Sequence, residues 1–166
     1  TLIELLVVLA IVGILTAVGI VAYNGYARAA KISASKANHA TITKMIKAKA
    51  ASCSIGDLIN YLDVKGAQKT FSCPTTIDNF IAYMNQTIYG MNWESPFYGS
   101  NPPSASWCRI NVTNCSPPGY MSACPDSARQ GGYLSVFRVN STTIRICSSL
   151  GPTTGVIQDD VVFYGS

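Results

Sequence analysis

Charge is absent from a long stretch at the start of this chain. Between Leu5 and Ala27 there is no Asp, Glu, Lys or Arg, and Glu4 is the only charged side chain before Arg28. Charged residues make up 12 % of the chain, against roughly 25 % in an ordinary soluble domain. A water-facing amphipathic helix is excluded there, because no polar face can be drawn. Proline is absent before Pro74, so nothing in that stretch breaks a helix by losing an N–H or by ring clash. No Cys-x-x-Cys pair occurs and His39 is the lone histidine, which argues against a zinc site, whose ligands come in tight pairs. No Gly-x-x-x-x-Gly-Lys-Ser/Thr loop is present, so the chain carries no P-loop for nucleotide hydrolysis. No nucleophile or acid can be named beside His39, and a membrane-anchored enzyme therefore lacks a catalytic constellation. No metal or cofactor is expected.

What is present begins with that run. Leu5 to Ala22 has the length that spans a bilayer, roughly 17–25 residues. Its leading residues, Thr1, Leu2, Ile3 and Glu4, include no base, so a cleaved secretory signal is not expected. Thr1 to about Ala51 reads as one continuous helix, about 75 Å long at 1.5 Å per residue. Gly13, Gly19 and Gly25 recur every six residues; each costs about 1 kcal/mol of helix stability relative to Ala and allows close helix approach. Further on, Ala27, Ala30, Ala34, Ala37, Thr41, Met45 and Ala48 form a stripe of small residues, with Ile32, Ile42 and Ile46 on a different face. Two modest apolar faces suggest contact with the chain's own head on one side and a neighbouring copy on the other. The small stripe is expected to take the sheet. Residues 1–52 hold six cations against Glu4 alone, and the remainder six against seven acids. The basic character thus belongs to the helix, where it would attract anionic lipid heads or nucleic acid or simply face solvent.

From Cys53 the composition turns to Gly, Pro, Ser, Asn and Tyr. All six cysteines, Cys53, Cys73, Cys108, Cys115, Cys124 and Cys147, lie in this part. An even count beyond a membrane segment points to an oxidising compartment. Of the fifteen possible connectivities, pairing of sequence neighbours gives Cys53–Cys73, Cys108–Cys115 and Cys124–Cys147. Thr76 to Met84 has a capping residue and helical spacing. Asn92 to Pro125 is turn-rich and irregular. Gly132–Val139 and Thr142–Cys147 alternate around Asn140-Ser141 as a β-hairpin, with further strands at Val156-Ile157 and Val161–Tyr164. The fold class is α+β: residues 1–52 a long helix, of which 1–27 is the membrane segment and 28–52 packs on the head, and residues 53–166 a globular head.

Thr1-Leu2-Ile3-Glu4-Leu5-Leu6-Val7-Val8-Leu9-Ala10-Ile11-Val12-Gly13 resembles the N-terminus of type IV pilins and of the related pseudopilins of type II secretion. The match covers about the first 27 residues, with Gly13 at the family's glycine and Tyr23 and Tyr26 at its paired tyrosines. In that family Thr-Leu-Ile-Glu follows an N-methylated phenylalanine exposed by a membrane peptidase. A proline common before the first tyrosine is replaced here by Val21 and Ala22. The resemblance implies a pilin fold with the long helix across a small antiparallel sheet and disulfide-stapled loops. It implies self-assembly into a helical filament through Thr1, Glu4, Gly13 and Gly19, with Glu4 paired to the terminal amine of an adjacent subunit. The implied partners are other copies of the chain, the inner membrane before assembly, the pilus assembly machinery, and glycan or DNA at the bacterial surface. The implied role is that of a major pilin for adhesion, motility or DNA uptake; alternatives are a minor pilin or pseudopilin, or an adhesive or DNA-receiving tip subunit.

Other candidates weigh toward structure. His39 reads as a packing or surface histidine. Asp159-Asp160 reads as a solvated turn rather than a calcium site, since six or more oxygen ligands are needed. Asn85-Gln86-Thr87, Asn111-Val112-Thr113 and Asn140-Ser141-Thr142 match a glycosylation triplet that arises readily by chance. Tyr61, Tyr83, Tyr89, Trp93, Tyr98, Trp107, Tyr120 and Tyr133 would suit stacking on bases or glycans, but most are expected to be packing residues.

Overall fold

The computed structural model describes residues 1–63, 65–91, 96–97, 134–150 and 154–164. One helix, α1 (Leu2–Ser54), runs without a break for 53 residues, which is about 80 Å. The three glycines do not interrupt it, and no kink follows from Val21-Ala22, as expected where proline is absent. Two strands follow, β1 (Leu58–Leu62) and β2 (Gln68–Ser72), paired antiparallel with Ile59 opposite Phe71. Helix α2 (Ile77–Gly90) begins at Thr76, whose hydroxyl accepts from the Asn79 N–H at 3.3 Å. It runs past Met84 because Asn85, Thr87 and Ile88 continue its buried face. Strands β3 (Leu134–Arg138), β4 (Thr143–Ser149) and β5 (Val156–Val162) form an antiparallel sheet in the order β3-β4-β5. The architecture is α+β.

The β1–β2 hairpin has no counterpart in the sequence expectations. Its turn is held by Asp63, whose carboxylate accepts from the Lys65 and Ala67 N–H groups at 2.9 Å each. Gly66, at φ +78°, supplies the left-handed residue the turn requires. The two strand candidates Val156-Ile157 and Val161–Tyr164 are joined into the single strand β5. Asp159-Asp160 therefore lies inside a strand, not in a turn.

The register fixes which face is inside. Val136, Ile146 and Asp159 lie side by side across the three strands, as do Leu134, Ser148 and Ile157. Leu134, Val136, Ile144, Ile146 and Val161 join one core with Ile42, Ile46 and Ala50 of α1 and Phe80, Ile81 and Met84 of α2. Helix α1 lies against β4, β5 and β1, and α2 against β1 and β3. Aromatic rings join α2 to its neighbours: Phe71 of the hairpin stacks on Tyr83 at 4.2 Å, and Phe163, just past β5, meets Phe80 at 4.6 Å.

One expectation about α1 is overturned. Ala30, Ala34, Ala37, Thr41 and Ala48 are exposed, and Ala27 and Met45 only partly covered. The sheet instead receives Ile32, Ser35, His39, Ile42, Ile46, Ala50 and Cys53, spaced by three and four residues. The physical reason is size. Burying an isoleucine contributes about 1.5–3 kcal/mol, far more than an alanine methyl, so the face with fewer but larger apolar residues wins.

Cys53, at the end of α1, is joined to Cys73 by a disulfide with Cα atoms 5.2 Å apart. Cys147, wholly buried, is also disulfide-bonded, to a partner outside the described residues. Cys108, Cys115 and Cys124, Trp93, Tyr98, Trp107, Tyr120 and Tyr133, and the Asn111 triplet also lie outside them.

Candidate functional site: an uncovered apolar helix and its carboxylate

Among the described residues, nothing covers the start of α1. Every large apolar side chain from Leu2 to Ile20 is more than half exposed, from Ile11 at 52 % to Leu2 at 78 %. Soluble monomers rarely expose contiguous apolar patches beyond a few hundred Å². This surface wraps a whole helix for over five turns. The most apolar window has a mean hydropathy of 3.0 and none of it is buried, so a soluble core helix is ruled out. The segment is long and apolar enough to cross a membrane. Within it Thr16 donates its hydroxyl to the Val12 carbonyl at 2.7 Å, which satisfies the polar group inside the helix. Gly13, Gly19 and Gly25 have open space where a side chain would project.

Glu4 stands in the first turn, the one acidic residue there. Its carboxylate accepts a hydrogen bond from the Thr1 nitrogen, and both groups are 74 % exposed. A carboxylate at this position caps an unpaired backbone donor and opposes the positive end of the helix dipole. Within a single chain, then, Glu4 is turned back onto its own Thr1. The same oxygen would have to leave Thr1, or share it, to meet a neighbour. Tyr23 and Tyr26 are 70 % and 76 % exposed, at the upper end of the apolar run.

Above the run, Arg28, Lys31, Lys36, Lys44 and Lys47 are exposed. The ammonium of Lys31 lies 6.0 Å from the Phe97 ring centre, near the limit for a cation–π contact. No acidic residue lies between Arg28 and Ser54.

His39, read from the sequence as a packing or surface histidine, is a packing one. It is buried, and it links three elements. Its Nδ1 lies 2.7 Å from Ser148 Oγ on β4, and its Nε2 lies 2.9 Å from Asp159 Oδ2 on β5. A carboxylate only accepts, so Nε2 carries the proton, and in the neutral ring Nδ1 accepts from the Ser148 hydroxyl. The contact order is that of a Ser-His-Asp triad. The order of exposure is inverted. Ser148 and His39 are each 3 % exposed, while the Asp159 side chain is 44 % exposed. A triad needs its hydroxyl facing substrate and its carboxylate buried. Here the hydroxyl faces the core, and the trio is a strut tying α1 to the sheet. No sequence motif announces it, because His39 stands over a hundred residues from both Ser148 and Asp159; only the helical spacing of His39 with Ile32, Ile42 and Ile46 marked that face.

The other candidates are placed by strand alternation. Asp160 lies on the sheet face opposite Asp159 and is held by Arg145, whose Nε donates at 2.6 Å and Nη2 at 2.7 Å. The two carboxylates diverge and cannot ligate one ion together. Asn85 is buried in α2 and donates to the Val136 carbonyl at 3.4 Å, so it cannot accept a sugar in the folded state. Asn140 sits in the exposed β3–β4 turn, accepting from the Thr142 N–H at 2.9 Å. Tyr61 and Tyr83 belong to the aromatic cluster of the core.

No family model, curated protein or solved structure matches this chain. The pilin resemblance therefore rests on the residues of the N-terminal run themselves.

Proposed function

We propose that this chain is a structural subunit of a type IV pilus filament, with a pilin fold. The supporting observation is the division of one helix. Its lower half is uncovered and wholly apolar with a single carboxylate at the tip, and its upper half is built into a disulfide-stapled α+β head. Such a lower half has two environments that remove it from water, lipid and a bundle of identical helices. A subunit held in the inner membrane and then drawn into a filament core uses both in turn. In the bundle Glu4 exchanges its own Thr1 for the terminal amine of the next copy. An unpaired charge in the apolar interior costs about 2.5–3.5 kcal/mol on insertion scales, so a neighbour that supplies the cation also sets axial register. The exposed Ala30, Ala34 and Ala37 stripe would let neighbouring helices approach closely above that core.

The test is Glu4→Ala, scored by surface filament yield beside the protein level in the membrane fraction. Membrane level is expected to be unchanged or higher, and filaments absent. Glu4→Gln should fail largely, having lost the charge-assisted bond, and Glu4→Asp should assemble in part. Normal filaments from Glu4→Ala would show that the carboxylate is not the register device. Copy number in sheared filaments separates a major subunit from the alternative reading, a minor or tip subunit displaying its head for adhesion or DNA uptake.

A further inference from the structure

A second feature lies at the join between the apolar run and the head. Two cations follow the sheet-facing side of α1 downward. Arg28 and Lys31 stand seven and four residues before the buried Ser35, along the same face of the helix. Both are exposed, so they occupy that face just where the head stops covering it. The Lys31 ammonium lies 6.0 Å from the ring centre of Phe97, a residue of the head, which sets the underside of the head beside it. At a spacing of three residues the two cationic side chains are neighbours and can reach one anion. The helix itself supplies none, since no acidic residue occurs between Arg28 and Ser54.

Height along the helix decides which anion that is. Leu5 to Ala27 rises about 34 Å, and the hydrocarbon core of a bilayer is about 30 Å thick. With Glu4 at one boundary, Ala27 stands at the other. The exposed Tyr23 and Tyr26 then fall at the interfacial level that such rings prefer. Arg28 lies about 1.5 Å and Lys31 about 6 Å beyond Ala27, within a headgroup layer about 5–8 Å deep. Lys36, Lys44 and Lys47 lie about 14, 26 and 30 Å beyond it and stand clear of that layer. Lipid phosphates occupy the layer, whereas a nucleic acid in solution would meet the higher lysines first.

We propose that Arg28 and Lys31 form a docking site for the phosphodiester of an anionic phospholipid, which seats the head on the membrane surface. The proposal rests on the membrane part of the proposed function and not on filament assembly. A guanidinium can hold two phosphate oxygens at once, and an ammonium adds a point charge. A zwitterionic lipid suits the site less, because its own cation competes for the same phosphate. Lys44 and Lys47, exposed on the same helix, are internal controls.

The experiment uses the full chain in phosphatidylcholine vesicles at low ionic strength, with a trace of spin-labelled phosphatidylglycerol or, in a parallel sample, spin-labelled phosphatidylcholine. The immobilised fraction of each label reads its affinity for the protein. The wild type should hold phosphatidylglycerol several-fold more tightly. One cation near an anionic surface gives roughly a fivefold preference, so Lys31→Gln should cut the ratio by up to about that factor. Arg28→Gln combined with Lys31→Gln should bring it close to unity, and Lys44→Gln combined with Lys47→Gln should leave it unchanged. Equal affinity in the wild type overturns the proposal, as does a preference that survives loss of Arg28 and Lys31 or is lost with Lys44 and Lys47. A short DNA duplex should not displace the label; displacement would assign these cations to nucleic acid instead. Flotation of the same vesicles on a density gradient separates the two readings. A chain that floats without lipid preference refutes the docking site alone, and one that does not float refutes the membrane reading and the site with it.

Discussion

Between Leu2 and Ile20 every large apolar side chain of α1 is more than half exposed, whereas Ile42, Ile46, Ala50 and Cys53 of the same helix are 4 % exposed or less. The two halves share backbone geometry and differ in patterning. In the lower half apolar residues occupy all faces, so no single partner surface can cover them. In the upper half they recur at three- and four-residue spacing between Lys, Asn and Thr, so one sheet suffices. The fold of the head ends where the one-sided pattern ends, near Ile32. The helix continues beyond it into a region whose large apolar side chains stay exposed.

The sharpest way to break the comparison is to make one substitution in both halves. Ile46→Ala should destabilise the head by about 2–5 kcal/mol, the range for a large-to-small change in a packed core. Ile11→Ala should leave the unfolding midpoint of the detergent-solubilised chain within about 0.5 kcal/mol of wild type, as for a residue with no packing partner. Chemical denaturation followed by near-ultraviolet circular dichroism reads both. Equal effects would mean that the lower half also packs on the head.

Next in size is the staple. Cys53 and Cys73 close a loop across 20 residues, and a cross-link of that span is worth roughly 3 kcal/mol by restricting the unfolded chain. Replacing both cysteines by serine should lower head stability by about that amount. The exposed half of α1 should keep its helical signal, since Cys53 lies at the opposite end. A loss of helicity spread over the whole of α1 would place the staple's influence well beyond the head.

A smaller effect sharpens how tightly the hairpin meets α2. A Cβ added at Gly90 would lie 2.1 Å from the Asp63 carbonyl oxygen and 3.1 Å from Leu62 Cβ. Backbone must therefore move, and Gly90→Ala should cost about 1–3 kcal/mol, the usual range for overpacking. Gly13→Ala should do the reverse in the monomer, adding up to about 1 kcal/mol of helix stability, because nothing lies within 4 Å of its missing side chain. The two substitutions are chemically identical, and their opposite signs follow from the two environments.

How much of this was legible beforehand depends on the distance over which each signal acts. The continuous α1, the Thr76 cap and the β3–β4 hairpin are local patterns and stand in the sequence. The β1–β2 hairpin was also within reach: Leu58 to Leu62 is a short run rich in large apolar residues, and Asp63 to Gly66 has turn chemistry. The choice of the Ile32–Ile46 face over the alanine stripe needed a comparison of side-chain volume, not only of spacing. The His39 strut was not legible, because Ser148 and Asp159 meet it only after three elements have packed. Nor was the splitting of Asp159 and Asp160, which depends on their being in a strand: alternation then sends one toward α1 and the other away.

That pair supplies the smallest and most specific test. Asp160 receives two hydrogen bonds from Arg145, and this bidentate contact holds its carboxyl below the usual range. Its side chain is 43 % exposed, so solvent screens the interaction, and its contribution should be below about 1 kcal/mol. A depressed folded pKa means that the contribution is complete above the unfolded value, about 3.9, and disappears as pH falls through the folded one. The stability difference between wild type and Asp160→Asn should therefore be flat from neutral pH to about pH 5, and shrink toward zero as the pH drops below about 4. Asp159→Asn is the control on the other face of the strand: its amide oxygen can still accept from His39 Nε2, so the strut survives with its geometry unchanged. A difference for Asp160→Asn that stayed constant through acid would show that the residue acts through packing, and that charge pairing on the outer sheet face contributes nothing.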